Sequence, residues 1–98
     1  MTINKVSEGT KLCISVEGRL DTNTAPALDT ELKNSFDGVT ELIIDMADLE
    51  YVSSAGLRVL LSAQKVMNKQ GSMKVINPNG DIREIFDVTG FSDILTIE

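Results

Sequence analysis

Histidine is absent from this 98-residue sequence, and cysteine occurs once, at Cys13. Without imidazole no Ser-His or Cys-His nucleophile pair can form, and the usual zinc sites lose their histidine ligands. A single cysteine also excludes an internal disulfide. The seven glycines are scattered and form neither of the phosphate-binding motifs GxGxxG and GxxxxGK. No spacing among the fifteen acidic residues forces two carboxylates into one pocket. From these absences together we expect that the protein is not an enzyme and has neither a cofactor nor a metal site.

Basic residues are the minority charge. Nine Lys and Arg stand against fifteen Asp and Glu, which gives a formal net charge of −6 at pH 7. Affinity for nucleic acid depends on Lys and Arg that displace counterions from phosphates. The positive charges that do cluster are spaced as on one solvated helix face and its exit: Arg58, Lys65, Lys69 and Lys74. We therefore expect a protein partner and no direct binding of nucleic acid.

Long apolar runs are missing as well, since no stretch approaches the roughly 20 residues that span a bilayer. Residues 1–5 lack the basic and then apolar pattern of a signal peptide. Hydrophobic residues make up 42% and charged residues 24%, as is ordinary for a globular chain, and 98 residues suffice for one domain. We expect a single cytoplasmic domain over residues 1–98, without a membrane partner, that is a monomer or a weak dimer.

The first half of the chain contains one clear strand pattern and one clear helix pattern. Residues 11–17 alternate polar and apolar side chains, which predicts a strand with one buried side. Residues 18–21 are interpreted as the exit from this strand. Pro26 is typical of a helix start, and the apolar spacing of three and four predicts a helix that ends at Asp37 and Gly38. Its apolar stripe consists of Ala25, Leu28, Leu32 and Phe36.

The second half alternates strand and helix patterns in the same way. Residues 42–44 predict a central buried strand, followed by a loop over residues 47–52 in which Tyr51 is expected to anchor in the core. A helix with a wide apolar face is predicted from about residue 55 to 69, with Gly71 as its stop. Residues 73–76 predict a further strand, and residues 77–81 a turn.

The remaining patterns complete the fold class. Residues 82–86 predict a short third helix ended by Gly90, residues 94–97 can add a last strand, and the first dozen residues can add an antiparallel pair at an edge. Strands that alternate with helices imply parallel pairing. The sequence therefore predicts an α/β domain with a mixed, mostly parallel sheet of four to five strands and about three to four α-helices.

Three segments resemble motifs of a known protein family, and they occur in the same order. They are GRLD at 18–21 with Ala25 and Pro26, DLEYVSSAGLRVLL at 48–61, and IREIFDVTGF at 82–91. Together they resemble the strand exit, the phosphorylation loop with its helix, and the C-terminal helix of the bacterial anti-sigma factor antagonists that carry the STAS domain. The segments span nearly the whole chain, and their order and spacing carry the resemblance.

The resemblance implies a partner switch. The unphosphorylated chain would bind a serine-kinase anti-sigma factor and free a sigma factor, phosphorylation would break the complex, and a serine phosphatase would reset it. The matching phospho-acceptor is Ser54. Many family members have aspartate directly before this serine, whereas this chain has Ser53, so Ser53 stays the alternative acceptor. The implied partner contacts are Asp21, Thr22, Ser53, Ala55, Gly56 and Arg58.

Each of these residues also has a purely structural interpretation. Ser53 or Ser54 can be the N-cap of the second helix, and Asp21 can be a turn residue or an early cap. Gly56 can serve close packing, and Arg58 can lie on a solvated helix turn. The sequence also leaves open a STAS module that binds a nucleotide or another small ligand, or a different regulatory protein.

Overall fold

A four-stranded sheet in the order β1-β2-β3-β4 forms the centre of the computed structural model, which describes residues 1–98. The strands are β1 (Thr2–Glu8), β2 (Lys11–Leu20), β3 (Glu41–Val52) and β4 (Ser72–Ile76). β1 pairs with β2 in antiparallel orientation, whereas β2–β3 and β3–β4 are parallel pairs. The mixed, mostly parallel sheet predicted from the sequence is confirmed, including its antiparallel edge.

Three α-helices connect and follow the parallel strands: α1 (Ala25–Lys33), α2 (Ser54–Gln70) and α3 (Gly80–Thr89). A short 3-10 turn, Phe91–Asp93, comes after α3. The connections through α1 and α2 each move one strand further in the same direction, and right-handed crossovers therefore put both helices on one face of the sheet. None of the helices combines the length and the apolar character that a bilayer crossing needs.

The core lies between the sheet and the helices. In β2, Leu12, Ile14 and Val16 are buried, while Cys13 and Ser15 alternate to the opposite face and are half-buried. One continuous cluster of buried apolar side chains joins the sheet to all three helices, with main helix contributions from Leu28, Leu32, Leu60, Met67, Ile82 and Phe86. The helix stripes predicted from the sequence thus pack against a single sheet face.

Two strands are longer than the sequence predicted. β2 continues through residues 18–20, which were interpreted as the strand exit, and β3 continues through residues 47–52, which were predicted to form a loop. The two extensions pair with each other as far as Leu20 and Val52. Register shifts in this pairing break the regular alternation of β3, so its exposed acids look like loop residues in the sequence.

The prediction that Tyr51 is a core residue is wrong. Leu49 pairs with Gly18 and Tyr51 with Arg19, so Glu50 is an extra residue without a partner on β2. Because of this bulge, Glu50 and Tyr51 are both exposed between the buried Leu49 and Val52.

Three further boundaries differ from the prediction. α3 begins at Gly80, inside the turn predicted over residues 77–81. α1 ends at Lys33 and not at residues 37–38, and Phe36 packs against the core from the loop that follows. The last strand predicted over residues 94–97 is reduced to a single parallel bridge between Val75 and Ile97. Gly90 ends α3 in the left-handed conformation, as predicted.

The connection from α2 to β4 leaves no space for a side chain at Gly71. The Ser72 N–H donates to the Thr40 carbonyl at 2.9 Å, so the backbone passes close to the start of β3. A Cβ atom on residue 71 would lie 1.9 Å from the Thr40 carbonyl oxygen. Backbone atoms cannot rotate away as a flexible side chain could, and either the helix end or the strand start has to shift.

We therefore expect Gly71→Ala to lower the free energy of unfolding by about 1–3 kcal/mol, as overpacking typically does. Urea denaturation measures this as a lower midpoint. Gly80→Ala is the matched control, because a Cβ there meets nothing within 4 Å and the residue begins α3. The control should keep or slightly raise the midpoint. Equal midpoints for Gly71→Ala and the unmodified protein would contradict the close approach at Thr40.

Candidate functional site

The carboxyl ends of β2 and β3 bring the predicted site residues together. These strands are parallel and paired through Leu20 and Val52, so the loop after β2 and the start of α2 emerge side by side. The Ser53 N–H donates to the Leu20 carbonyl at 2.8 Å and joins the two segments directly. This hydrogen bond places the loop after β2 next to the first turn of α2.

Gly56 allows the first turn of α2 to approach Leu20. A Cβ on residue 56 would lie 2.7 Å from Leu20 Cγ and 3.1 Å from the Leu20 carbonyl oxygen. Gly56 is itself buried. The geometry therefore supports the packing interpretation of Gly56, while a contact between Gly56 and a partner stays a prediction.

The two adjacent serines have different environments. Ser53 is the N-cap of α2: its backbone is extended, its Oγ accepts a hydrogen bond from the Gly56 N–H at 3.3 Å, and its carbonyl accepts one from the Leu57 N–H at 2.9 Å. Ser53 is half-buried, whereas Ser54, the first residue of the helix, is exposed. Ser53 therefore caps the helix, and the Ser54 side chain is accessible to solvent.

Asp21 organises the loop between β2 and α1. Its Oδ1 accepts hydrogen bonds from the Asn23 N–H at 3.0 Å and the Thr24 N–H at 3.2 Å. The Thr24 hydroxyl donates to the Arg19 carbonyl at 2.7 Å, which ties the loop back to the strand. The interpretation of Asp21 as a turn residue is therefore correct. Its Oδ2 lies 3.8 Å from Arg19 Nε, on the exposed side of the loop.

The charge of Asp21 is set by these partners. Desolvation raises the pKa of the carboxyl, but hydrogen bonds from Thr24 and Asn23 together with the Arg19 charge outweigh it, and the pKa lies below the usual 3.8. A carboxyl with a lowered pKa stabilises the fold above its unfolded-state pKa, and this contribution is lost as the pH falls through the folded-state pKa. At neutral pH Asp21 is therefore an anion at the end of β2.

The other predicted contacts lie around Ser54. Thr22 is exposed in the loop after β2, Ala55 is half-buried next to Ser54, and Arg58 is exposed one helical turn further along α2. Residues four apart on a helix are surface neighbours, so Ser54 and Arg58 share one side of α2. All six residues predicted as contacts belong to the two segments that meet at this edge of the sheet.

The sequence prediction missed a pair of exposed side chains beside these residues. Arg19 and Tyr51 face each other across β2 and β3, and the guanidinium carbon of Arg19 lies 4.4 Å from the centroid of the Tyr51 ring. Tyr51 is 37% exposed and the Arg19 side chain 58%. A sequence signal existed: the apolar residues Leu49 and Val52 are three apart, which breaks the period of two and indicates a bulge.

Charged side chains of both signs complete this surface. Asp48 and Glu50 are exposed on the second half of β3, Arg19 is exposed on β2, and Arg58 is exposed on α2. The protein surface forms no pocket, and no group of three or more Cys, Asp or Glu side chains is placed to hold a metal ion. What the arrangement offers is an open surface with a hydroxyl, an aromatic ring and fixed charges.

The STAS domain family matches residues 2–98 of this chain. The anti-sigma-B factor antagonist of Bacillus subtilis is 33% identical over 85 residues, which covers 86% of this chain and 78% of that protein. BtrV of Bordetella bronchiseptica, by name a candidate anti-sigma factor antagonist, is 31% identical over 99 residues, which covers 99% of this chain and 84% of BtrV.

Solved structures show the same fold. An anti-sigma factor antagonist from Mycobacterium paratuberculosis matches with a TM-score of 0.89 and 25% identity over 98% of this chain and 83% of that one. Unphosphorylated SpoIIAA matches with a TM-score of 0.85 and 18% identity over 99% of this chain and 88% of that one. Phosphorylated SpoIIAA from Bacillus matches with a TM-score of 0.77 and 19% identity over 99% of this chain and 91% of that one. The chain therefore belongs to the STAS domain family, and the relatives that it matches here are bacterial anti-sigma factor antagonists.

Proposed function

We propose that this chain is an anti-sigma factor antagonist that works as a phosphorylation-controlled partner switch. Unphosphorylated, it binds a serine-kinase anti-sigma factor in the cytoplasm and thereby releases a sigma factor. The kinase then phosphorylates Ser54, which ends the complex, and a serine phosphatase restores the binding form. The chain is a substrate in both reactions and catalyses neither. The observation that carries the proposal is the exposed Ser54 at the first position of α2, next to the Asp21 loop.

The environment of the two serines favours Ser54 as the acceptor. In the transfer, Ser54 Oγ attacks the γ-phosphorus of ATP, the bond to the β-phosphate oxygen breaks, ADP leaves, and a base on the kinase takes the hydroxyl proton. An in-line attack needs an accessible hydroxyl. Ser53 is half-buried, and its oxygen already accepts the Gly56 N–H, so a phosphate on Ser53 would cost the helix its cap.

A phosphate on Ser54 is compatible with the fold. It adds roughly −1.5 to −2 charges at neutral pH, at a helix end where unpaired N–H groups and the helix dipole favour an anion. Arg58 lies one turn away, and the more distant Asp48 and Glu50 are partly screened by salt. The helix-end contribution is typically 0.3–1 kcal/mol, small beside a stability of roughly 5–15 kcal/mol. SpoIIAA supports this inference, since both of its forms have the same fold.

Loss of binding then follows from the place of the charge. The partner has to approach α2 where the small side chains of Ser54 and Ala55 leave the first turn open. A phosphate there introduces bulk between the helix and the partner, together with a charge that loses its water in the contact. Both the bulk and the desolvation of this charge disfavour close contact, so phosphorylation opposes the complex and not the fold.

The first test concerns the site of modification. Incubated with its cognate kinase and ATP, the protein should take up one phosphate at Ser54. Ser54→Ala should abolish the uptake, whereas Ser53→Ala should only reduce it and should also destabilise the protein by about 0.5–2 kcal/mol through the lost cap. Peptide mapping by mass spectrometry and urea denaturation measure the two effects. A phosphate that maps to Ser53 would show that the acceptor is misassigned.

The second test concerns binding. Ser54→Asp should weaken association with the anti-sigma factor in calorimetry, because it places a negative charge where the partner must touch. Ser54→Asn is the matched control, since it has nearly the same size without the charge, and it should bind more tightly than Ser54→Asp. Equal affinities of Ser54→Asp and the unmodified protein would place Ser54 outside the interface.

A further inference from the structure

Tyr51 is held at the surface by the way β3 is built. It is the only tyrosine of the chain, and it does not belong to the core cluster. The bulge at Glu50 turns its side chain outward, although Leu49 and Val52 on either side are buried. A bulge can change the direction in which a side chain points. Here it affects Tyr51, which lies two residues before the N-cap of α2. The position of Tyr51 is therefore not explained by packing.

Arg19 lies between the Tyr51 ring and the Asp21 carboxylate. Its guanidinium lies 4.4 Å from the ring centroid on one side, and its Nε lies 3.8 Å from Asp21 Oδ2 on the other. Asp21 is in turn fixed by the N–H groups of Asn23 and Thr24. Contacts on two sides restrict the rotamers of Arg19, so the pair loses less conformational entropy on binding than an arginine without such contacts would. Tyrosine and arginine are also the residue types that, with tryptophan, dominate the energetics of protein interfaces.

The surroundings indicate what kind of surface fits the pair. Asp48 and Glu50 are exposed on the same end of β3 as Tyr51, and the whole chain carries a net charge of −6. A complementary partner presents an apolar side chain to the ring and Lys or Arg side chains to these acids. The pair and Ser54 lie at the same edge of the sheet, so one partner surface can cover both.

We propose that the stacked Arg19–Tyr51 pair is the affinity anchor through which this chain binds its anti-sigma factor. The partner packs an apolar side chain on the Tyr51 ring and places basic side chains opposite Asp48 and Glu50. In this division of roles Arg19–Tyr51 supplies affinity, and Ser54 controls it. The inference rests on the proposed function, because it names the recognition element of the same complex.

The test titrates the anti-sigma factor encoded in the same genome against the unphosphorylated full chain. Tyr51→Ala should raise Kd by about 30-fold or more, the range of an interface hot spot, and Arg19→Ala by about 10-fold. Tyr51→Phe keeps the ring and should stay within about threefold of the unmodified protein. Glu50→Lys should weaken binding through repulsion from the basic rim. Val6→Ala is the control, because Val6 is 67% exposed on β1 beside Cys13, towards the other end of β2 from Arg19.

The outcomes separate the inference from the proposed function. If the unmodified protein binds and Tyr51→Ala binds equally well with an unchanged melting curve, the anchor is wrong and the switch stands. If the unmodified protein does not bind the anti-sigma factor, both fail. If Tyr51→Ala unfolds, the Arg19→Ala and Glu50→Lys titrations replace it. Weaker binding of both variants supports the anchor, and unchanged binding of both overturns it. A Tyr51→Ala variant that changes only self-association in ultracentrifugation would assign the pair to a contact between copies and overturn the inference.

Discussion

The hydrogen bond from the Ser53 N–H to the Leu20 carbonyl, 2.8 Å long, joins the end of β2 to the start of α2. It is possible only because β2 and β3 run parallel and stay paired to their last residues. The contact is tightened by Gly56, where any side chain would meet Leu20. Leu20 and Val52 are buried beneath it, so the junction is part of the core and not a loose surface contact.

The properties of the site follow from this junction. It places the end of β2, and with it the Asp21 loop, beside the start of α2, at the same end of the two strands where Arg19 pairs with Tyr51. The positions of these groups are set by the register of the two strands and by the start of the helix. A surface of that kind can gain or lose a charge without a change in the packing beneath it. Control by phosphorylation and retention of the fold are therefore compatible.

Much of the fold could be predicted from the sequence because its elements have clear periods. The alternation in residues 11–17 and the apolar arc of α2 correspond to elements that bury one side, and both are confirmed. The second half of β3 could not be predicted, since its bulges put Ala47, Asp48, Glu50 and Tyr51 at the surface and remove the period. Phe36 extended the apolar stripe of α1, yet it reaches the core from a loop.

The candidate site was predictable only in part, and for a similar reason. The family resemblance indicated the segment with Ser53 and Ser54, but the sequence could not tell which serine caps the helix. That difference depends on the extended backbone of Ser53 and on its hydrogen bond to Gly56. The Arg19–Tyr51 pair depends on the cross-strand register, and no local pattern in either strand specifies which residues will face each other.

We expect phosphorylation to act on a preformed surface and not through the fold. Amide NMR spectra of the phosphorylated and unphosphorylated protein, recorded with a thermal melt of each form, test it most directly. We expect nearly equal melting temperatures and chemical-shift changes confined to the Asp21 loop, the end of β3 and the first turns of α2. A large drop in melting temperature, or shifts spread across β1, β4 and α3, would contradict it and show that the switch is conformational.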